Sequence, residues 1–515
     1  MKKLSTTILL LLLVNPSVLH AQSKELAQRI QPIIDRPEFR HALFGIEFYS
    51  LDKAKVIYSV NADKLFTPGS TTKLLTEGTA LALLGADYRF HTRVYRIGRL
   101  DTDGTLDGDL VLVASGDPNL SGRLKDDGTL AFENEDHSYD GDPNTRAVPG
   151  DALLVIRRLA QQIAAKGIKK VRGNVLVDAT MFREGARELG TGVVMSPIVV
   201  NDNIVDVVVS PGAREGAPVT FKSAPATSYV KFTNRAITGK PDSEPEIRFT
   251  ANPSGDGLQV ANITGTFPAG KPPILFKYVV PSPSRFAEVL LTEALREKGI
   301  TLEPLPGHRD FAALAESYVP DQLVAEHVSL PLREEIKVTL KVSQNLHASI
   351  TPLVLGALLA PKKTDRTGFD LEKDFLTNAG LDTSGAQQAD GAGGDAHFTP
   401  EFMVSFLSYM AKHKDFQAFY DALPILGRDG TLFDIQPQSP AAGSVHAKTG
   451  TFSVYDPLNR RLLVTGKGLA GYLTTKKGEH LAFAIYVNNV SVPPDNDAVK
   501  KIAGQAMGEI AAAAY

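Results

Sequence analysis

Three observations predict an α/β (α+β) protein of several domains. The chain has 515 residues, 43% of them apolar, enough for about three domains with filled cores. Strand-like and helix-like patterns alternate through both ends. The middle, residues 201–278, carries only short strand-like runs broken by Pro and Gly, as a small all-β module would.

The elements follow in order. Lys2 and Lys3 precede an apolar run from Ile8 to Val14, and Leu19-His20-Ala21 closes the stretch before polar residues. This predicts a secretory signal peptide, residues 1–21, and a product that works in the periplasm or outside the cell. The run is too short to span a bilayer, and no later stretch is apolar for long enough to anchor the chain stably in a membrane. Alternation from Phe44 to Val60 around Leu51-Asp52-Lys53 predicts a hairpin. A helix starts near Pro68-Gly69-Ser70 and ends at Gly85. Residues 108–115 and 172–179 read as strands with a helix from Ala152 to Lys166 between them. Helices follow over Ser284 to Lys298 and, as one long pattern, over Leu332 to Leu359. The end returns to strands at Arg460 to Val464, Leu469 to Thr474 and Leu481 to Asn488, then to a helix over Val499 to Ala514 whose expected role is core packing.

Composition excludes more than it names. Lys and Arg number 55, Asp and Glu 58, a formal charge of −3 with no basic block, so no nucleic-acid footprint is expected. The absence of cysteine removes disulfides, thiol catalysis, iron–sulfur clusters and cysteine-ligated zinc. Gly265 to Lys271 nearly spells a phosphate loop, but Pro272 follows; Gly466-Lys467-Gly468-Leu469-Ala470-Gly471 has a dinucleotide fingerprint in letters but leads into a strand. The histidines are scattered singly and no Gly-x-Ser-x-Gly occurs, so no metal, no cofactor and no Ser-His-Asp triad is expected. An acidic run of Asp126, Asp127, Glu133, Glu135, Asp136, Asp140 and Asp142 lacks the regular spacing of a calcium loop and is expected to be a solvated loop.

Three short patterns in one order carry chemistry: Ser70-Thr71-Thr72-Lys73, Ser343-Gln344-Asn345 and Lys448-Thr449-Gly450. A serine at a helix start with lysine three residues on shares one face with it, so the amine can take the hydroxyl proton. The helix start adds free N–H groups and a positive field for a developing oxyanion. Ser343 offers a hydroxyl relay, Asn345 an amide for a substrate peptide, and Lys448 a fixed cation that binds a carboxylate and is expected to lower the pKa of Lys73. Ser50-Leu51-Asp52-Lys53 and Ser59-Val60-Asn61 repeat the letters. Ser50 sits in the hairpin, where a residue three further on points to the opposite face, and Ser59 precedes the nucleophile.

With these motifs the sequence resembles the penicillin-binding proteins and serine β-lactamases. The likeness is closest to the class C low-molecular-mass penicillin-binding proteins, D-alanyl-D-alanine carboxypeptidases and endopeptidases. Ser343 follows Ser70 by 273 residues, a gap that the insertion carried by that branch explains. Longer strings support it across nearly the whole chain: Ala114 to Leu120, Asn201-Asp202-Asn203, Leu423-Pro424 with Gly427 to Leu432, and His446 to Thr451. Two departures stand out. Gln344 replaces the usual Asp at a position expected to matter little, and Asp390-Gly391-Ala392-Gly393 replaces a string with serine third. After Thr451, an insertion around Tyr455 to Arg461 separates the motif from Gly471-Tyr472.

The resemblance implies a transpeptidase-like fold, an antiparallel sheet flanked by helices, with a large nested insertion. The expected division is catalytic domain 22–92 and 328–515, inserted α/β domain 93–200 and 276–327, and a small β-rich domain 201–275 nested within it. It implies a periplasmic serine-type D-Ala-D-Ala carboxypeptidase, with DD-endopeptidase activity on cross-links as a further expectation, that trims peptidoglycan stem peptides ending in D-Ala-D-Ala through an acyl-enzyme and is inhibited by β-lactams. Ser70, Lys73 and Ser343 would be catalytic; Asn345, Lys448, Thr449, Gly450 and Thr451 would bind substrate; the N–H groups of Ser70 and Thr451 would form the oxyanion hole. A β-lactamase or esterase on the same fold, and a non-catalytic wall-binding protein, are the alternatives. The oligomeric state is not legible.

Overall fold

The computed structural model describes residues 17–307, 310–362 and 364–515. The expected leader, residues 1–21, falls for the most part outside them. Among the described residues no helix is long and apolar enough to cross a membrane.

The first hairpin forms from Leu43–Ser50 and Lys55–Val60, with a bulge after Phe48. Its first strand pairs antiparallel with His480–Asn488, so the two ends of the chain share one sheet. Six strands make it, in the order Val445–Asp456, Arg461–Thr474, His480–Asn488, Leu43–Ser50, Lys55–Val60, with Val490–Val492 also paired to Arg461–Thr474. Every neighbouring pair is antiparallel. Side chains alternate across it: Leu481, Phe483, Ile485 and Val487 pack with Leu26, Ile30, Met507 and Ile510 of the terminal helices, whereas Ala482, Ala484 and Tyr486 face Leu74, Phe402 and Phe406 of the helices Thr72–Leu84 and Pro400–Met410. This is the expected antiparallel sheet flanked by helices. The C-terminal segment packs in the core as expected, though Lys500–Gly504 winds as a π turn between Asn496–Val499 and Gln505–Ala512.

Between the hairpin and residue 328 the chain builds a second six-stranded sheet. Thr105–Val113 lies at its centre, antiparallel to His91–Leu100 and parallel to Lys170–Arg172 and Val175–Asp178. Helices Leu154–Ala165 and Pro283–Glu297 pack beside it. Residues 201–279 add a three-stranded and a four-stranded sheet, and their Val205, Val207 and Phe267 share one apolar core with Leu110, Leu159 and Leu290.

Two elements differ from the sequence expectation. The pattern from Leu332 to Leu359 is broken into helices Leu332–Lys341 and Asn345–Leu359, with Ser343 in the left-handed region at φ +63°. The apolar period survives the break, so pattern alone could not reveal it. The strands expected at 460–464 and 469–474 are one strand, Arg461–Thr474, whose Gly466 and Gly468 fit close backbone contact rather than a turn.

Candidate active site

Pro68-Gly69-Ser70 becomes a tight 3-10 turn, Gly69–Thr71, that runs into helix Thr72–Leu84. Gly69 has φ +52°, and a Cβ there would lie 2.6 Å from the Thr451 nitrogen. The Thr71 and Thr72 hydroxyls donate to the carbonyls of Pro68 (3.0 Å) and Gly69 (2.9 Å) and hold the turn. Ser70 is half-buried, and Lys73, fully buried one turn on, donates from Nζ to Ser70 Oγ at 2.7 Å.

The helix break supplies the second part. Lys73 Nζ also donates to Asn345 Oδ1 at 2.7 Å, with Ser343 Oγ at 3.4 Å and the Ala392 carbonyl at 3.2 Å. Gln344 caps the following helix, its Oε1 accepting from the Leu346 N–H at 2.7 Å, and its Nε2 donates to Asp136 Oδ1 at 3.0 Å. The Ser343 carbonyl accepts from the Tyr139 hydroxyl at 2.7 Å. The left-handed serine is thus held by residues of the distant acidic run, and Gln344, expected to matter little, is a fully buried link.

Val445–Asp456 is the sheet's edge strand and lies directly against the Gly69–Thr71 turn. A Cβ on Gly450 would meet the Pro68 oxygen at 2.0 Å and the Ser70 nitrogen at 3.0 Å. Lys448 is fully buried and donates to the Thr449 carbonyl at 2.9 Å. Thr449 Oγ1 lies 2.8 Å from Thr431 Oγ1, on a loop fixed by the Asp429–Lys341 ion pair at 2.7 Å. Thr451 is exposed, and its hydroxyl accepts from Lys467 Nζ at 2.6 Å. Past the motif the hairpin simply runs on, to Asp456 and back from Arg461.

Burial pushes the Lys73 amine down to about 7, against the pull of Glu188, Asp390 and Glu77. Lys448 was expected to help that lowering; burial is its main cause, and the repulsion between the two amines falls on Lys448, which burial, Lys73 and Lys467 hold well below the usual lysine range. A neutral amine 2.7 Å from a serine hydroxyl, with its orientation set by Asn345, can act as general base.

All eight residues expected from sequence therefore lie on the Gly69–Thr71 turn and the first turn of the helix that follows it, at the helix break, and on the adjoining edge strand. The decoys lie elsewhere: Ser50 and Lys53 both bind Glu479, and Asn61 donates to the Phe44 carbonyl. Sequence reasoning missed Tyr139, Glu188, Lys467 and the Ala392 carbonyl. The last is a backbone group, so the lost serine string still supplies a partner.

The acidic run is also corrected. Asp136 is buried, and the Arg123 guanidinium bridges it to Asp202 at 2.6 and 2.7 Å. His137 reaches Asp202 (2.6 Å) and Asp206 (2.9 Å), and His347 Nε2 reaches Asp202 at 2.7 Å. Burial opposes charge on His137, yet Asp206 and Asp202 push it up to about 10. Asp136, His137 and Asp202 have the spacing to hold a metal ion, but Arg123 fills the place of a cation between the two carboxylates. Asn201-Asp202-Asn203 takes three successive left-handed residues, which Asn and Asp tolerate best.

Residues 26–513 match the family model described as D-Ala-D-Ala carboxypeptidase 3 (S13). A D-alanyl-D-alanine carboxypeptidase of Actinomadura sp. is 26% identical over 496 residues, 92% of this chain and 82% of that protein. The D-alanyl-D-alanine carboxypeptidase DacB of Haemophilus influenzae is 24% identical over 459 residues, 86% of this chain and 84% of the relative. In three dimensions the chain is similar to penicillin binding protein 4 of Haemophilus influenzae, with TM-score 0.70, 21% identity, and 95% and 97% of the two chains covered.

Proposed function

The chain belongs to the D-Ala-D-Ala carboxypeptidase 3 (S13) family and is a serine-type D-Ala-D-Ala carboxypeptidase, and from that premise we propose how its residues share the work. Neutral Lys73 takes the Ser70 hydroxyl proton as Oγ bonds to the carbonyl carbon of the penultimate D-alanine. The N–H groups of Ser70 and Thr451 hold the oxyanion. The proton passes through Ser343 Oγ to the amide nitrogen, the C–N bond breaks and D-alanine leaves; water then hydrolyses the ester. Lys448 and Thr449 hold the terminal carboxylate, Gly450 lets the edge strand lie on the turn, and the Asn345 amide holds the peptide.

The observation that carries this reading is the buried Lys73 amine bridging Ser70 Oγ and Asn345 Oδ1, each at 2.7 Å. Penicillin binding protein 4 of Haemophilus influenzae was solved with a β-lactam bound, which supports β-lactams as acylating inhibitors here. The test is Ser70→Ala: both release of D-alanine and labelling by a fluorescent penicillin should vanish, and retained labelling overturns the assignment. The expected leader and a peptidoglycan substrate support action in the periplasm, with residues 93–327 inserted into the catalytic domain.

A further inference from the structure

We propose that Lys467 is a second cation for the substrate's C-terminal carboxylate and so sets the preference for substrates that carry one; this rests on the reading of the Lys448-Thr449-Gly450 strand as the carboxylate site. Lys467 stands directly opposite Thr451 in the pairing of Val445–Asp456 with Arg461–Thr474. Thr449 and Thr451, two apart on one strand, project on the same face as Lys467. The glycines on either side of Lys467, which imitate part of a nucleotide-binding fingerprint, serve another purpose. A Cβ on Gly466 would meet the Thr67 oxygen at 2.4 Å, and one on Gly468 the Pro68 oxygen at 2.9 Å. The strand can therefore lie against the Gly69–Thr71 turn, while Lys467, between the two glycines, projects to the other face beside Thr451, with its Cε near the C-terminal turn at Gly504.

Its surroundings do not suit a structural lysine. The residue is 9% exposed, and among the described residues its side chain bonds a neutral hydroxyl, Thr451 Oγ1, at 2.6 Å. The charge that acts on it most is another cation, Lys500, which is itself paired to Asp434 at 2.5 Å. Lys448, the other buried ammonium of the strand pair, likewise bonds only a neutral group among the described residues, the Thr449 carbonyl. Buried charges of this kind are costly unless an anion faces them. A carboxylate seated between the Thr449 and Thr451 hydroxyls would lie on the Lys467 face of the edge strand, with Lys448 reaching it from the strand's other side.

The test compares wild type, Lys467→Met and Lys467→Arg on a diacylated Lys-D-Ala-D-Ala peptide and on its C-terminal carboxamide, with inactivation by an uncharged fluorophosphonate as a carboxylate-free measure of Ser70. Loss of a charge-assisted contact predicts a fall of about 10- to 100-fold in kcat/KM for the free acid with Lys467→Met, chiefly through KM. The fluorophosphonate rate should stay within about twofold, the carboxamide rate should be unmoved, and Lys467→Arg should recover most of the loss. An equal fall on acid, carboxamide and fluorophosphonate, or no fall on the acid, overturns the proposal. If instead the Ser70→Ala protein still releases D-alanine, the mechanism of Ser70 fails, and the acid-to-carboxamide ratio still judges Lys467.

Discussion

Two groups of buried charge flank the helix break at Ser343, and they are built on opposite rules. On one side Arg123, Asp136, His137, Asp202, Asp206 and His347 form a closed set in which each ionisable side chain meets an oppositely charged or hydrogen-bonding partner. On the other, Lys73, Lys448 and Lys467 meet hydroxyls, an amide oxygen and carbonyls, and their amines are pushed downward. Paired buried charge locks a fold, because breaking it strands a charge. Unpaired buried charge is tolerated where it does chemistry or awaits an anion. On the proposed mechanism the difference separates the part of the site that holds from the part that acts.

The sharpest break of this contrast comes from the acting side. Ser70→Ala should lower kcat/KM for D-alanine release by about 10⁴-fold or more while leaving the thermal midpoint almost unmoved, read by product assay and calorimetry. The holding side should answer the other way. Asp202→Asn keeps shape and tolerates the left-handed backbone but leaves Arg123, His137 and His347 short of a charge; urea titration should show a loss of about 3–5 kcal/mol.

A smaller effect is a matter of sign. Lys73 must be neutral to accept a proton, and burial has lowered it to about 7, so penicillin acylation should rise with pH through about 7 and level off above it. Glu188 is the carboxylate that raises this amine most, so Glu188→Gln should move the acid limb to lower pH, measured by stopped-flow labelling. The smallest change tests the link between the two sides. Gln344→Ala removes a helix cap and the bond to Asp136, and should cost about 1 kcal/mol of stability with a several-fold loss of acylation.

The acting side was far more legible in the sequence than the holding side. Ser70 and Lys73 share one turn, and Lys448 to Thr451 one strand, so local spacing predicts their arrangement. The first hairpin was readable from alternation, and the antiparallel sheet it joins from the resemblance that the motifs carry. The break at Ser343 was not, because it depends on Tyr139 and Asp136, some 200 residues away in sequence, and the helical period runs through it unbroken. For the same reason the acidic run read as solvated: what makes Asp136 a buried partner is Arg123 and Asp202, which no local pattern joins. Lys467 was in plain view, but its flanking glycines imitated a different motif.

The tether from Tyr139 to Ser343 also bears on how this chain can be engineered. Residues 93–327 look like a cassette that could be excised to leave a minimal enzyme. They supply the hydroxyl that fixes the Ser343 carbonyl, the carboxylate that Gln344 grips, and Glu188, whose charge pulls on Lys73. Splicing residue 92 to 328 would therefore keep Ser70 and discard the alignment of Ser343, so a smaller scaffold has to carry the 123–139 segment and Glu188 with it.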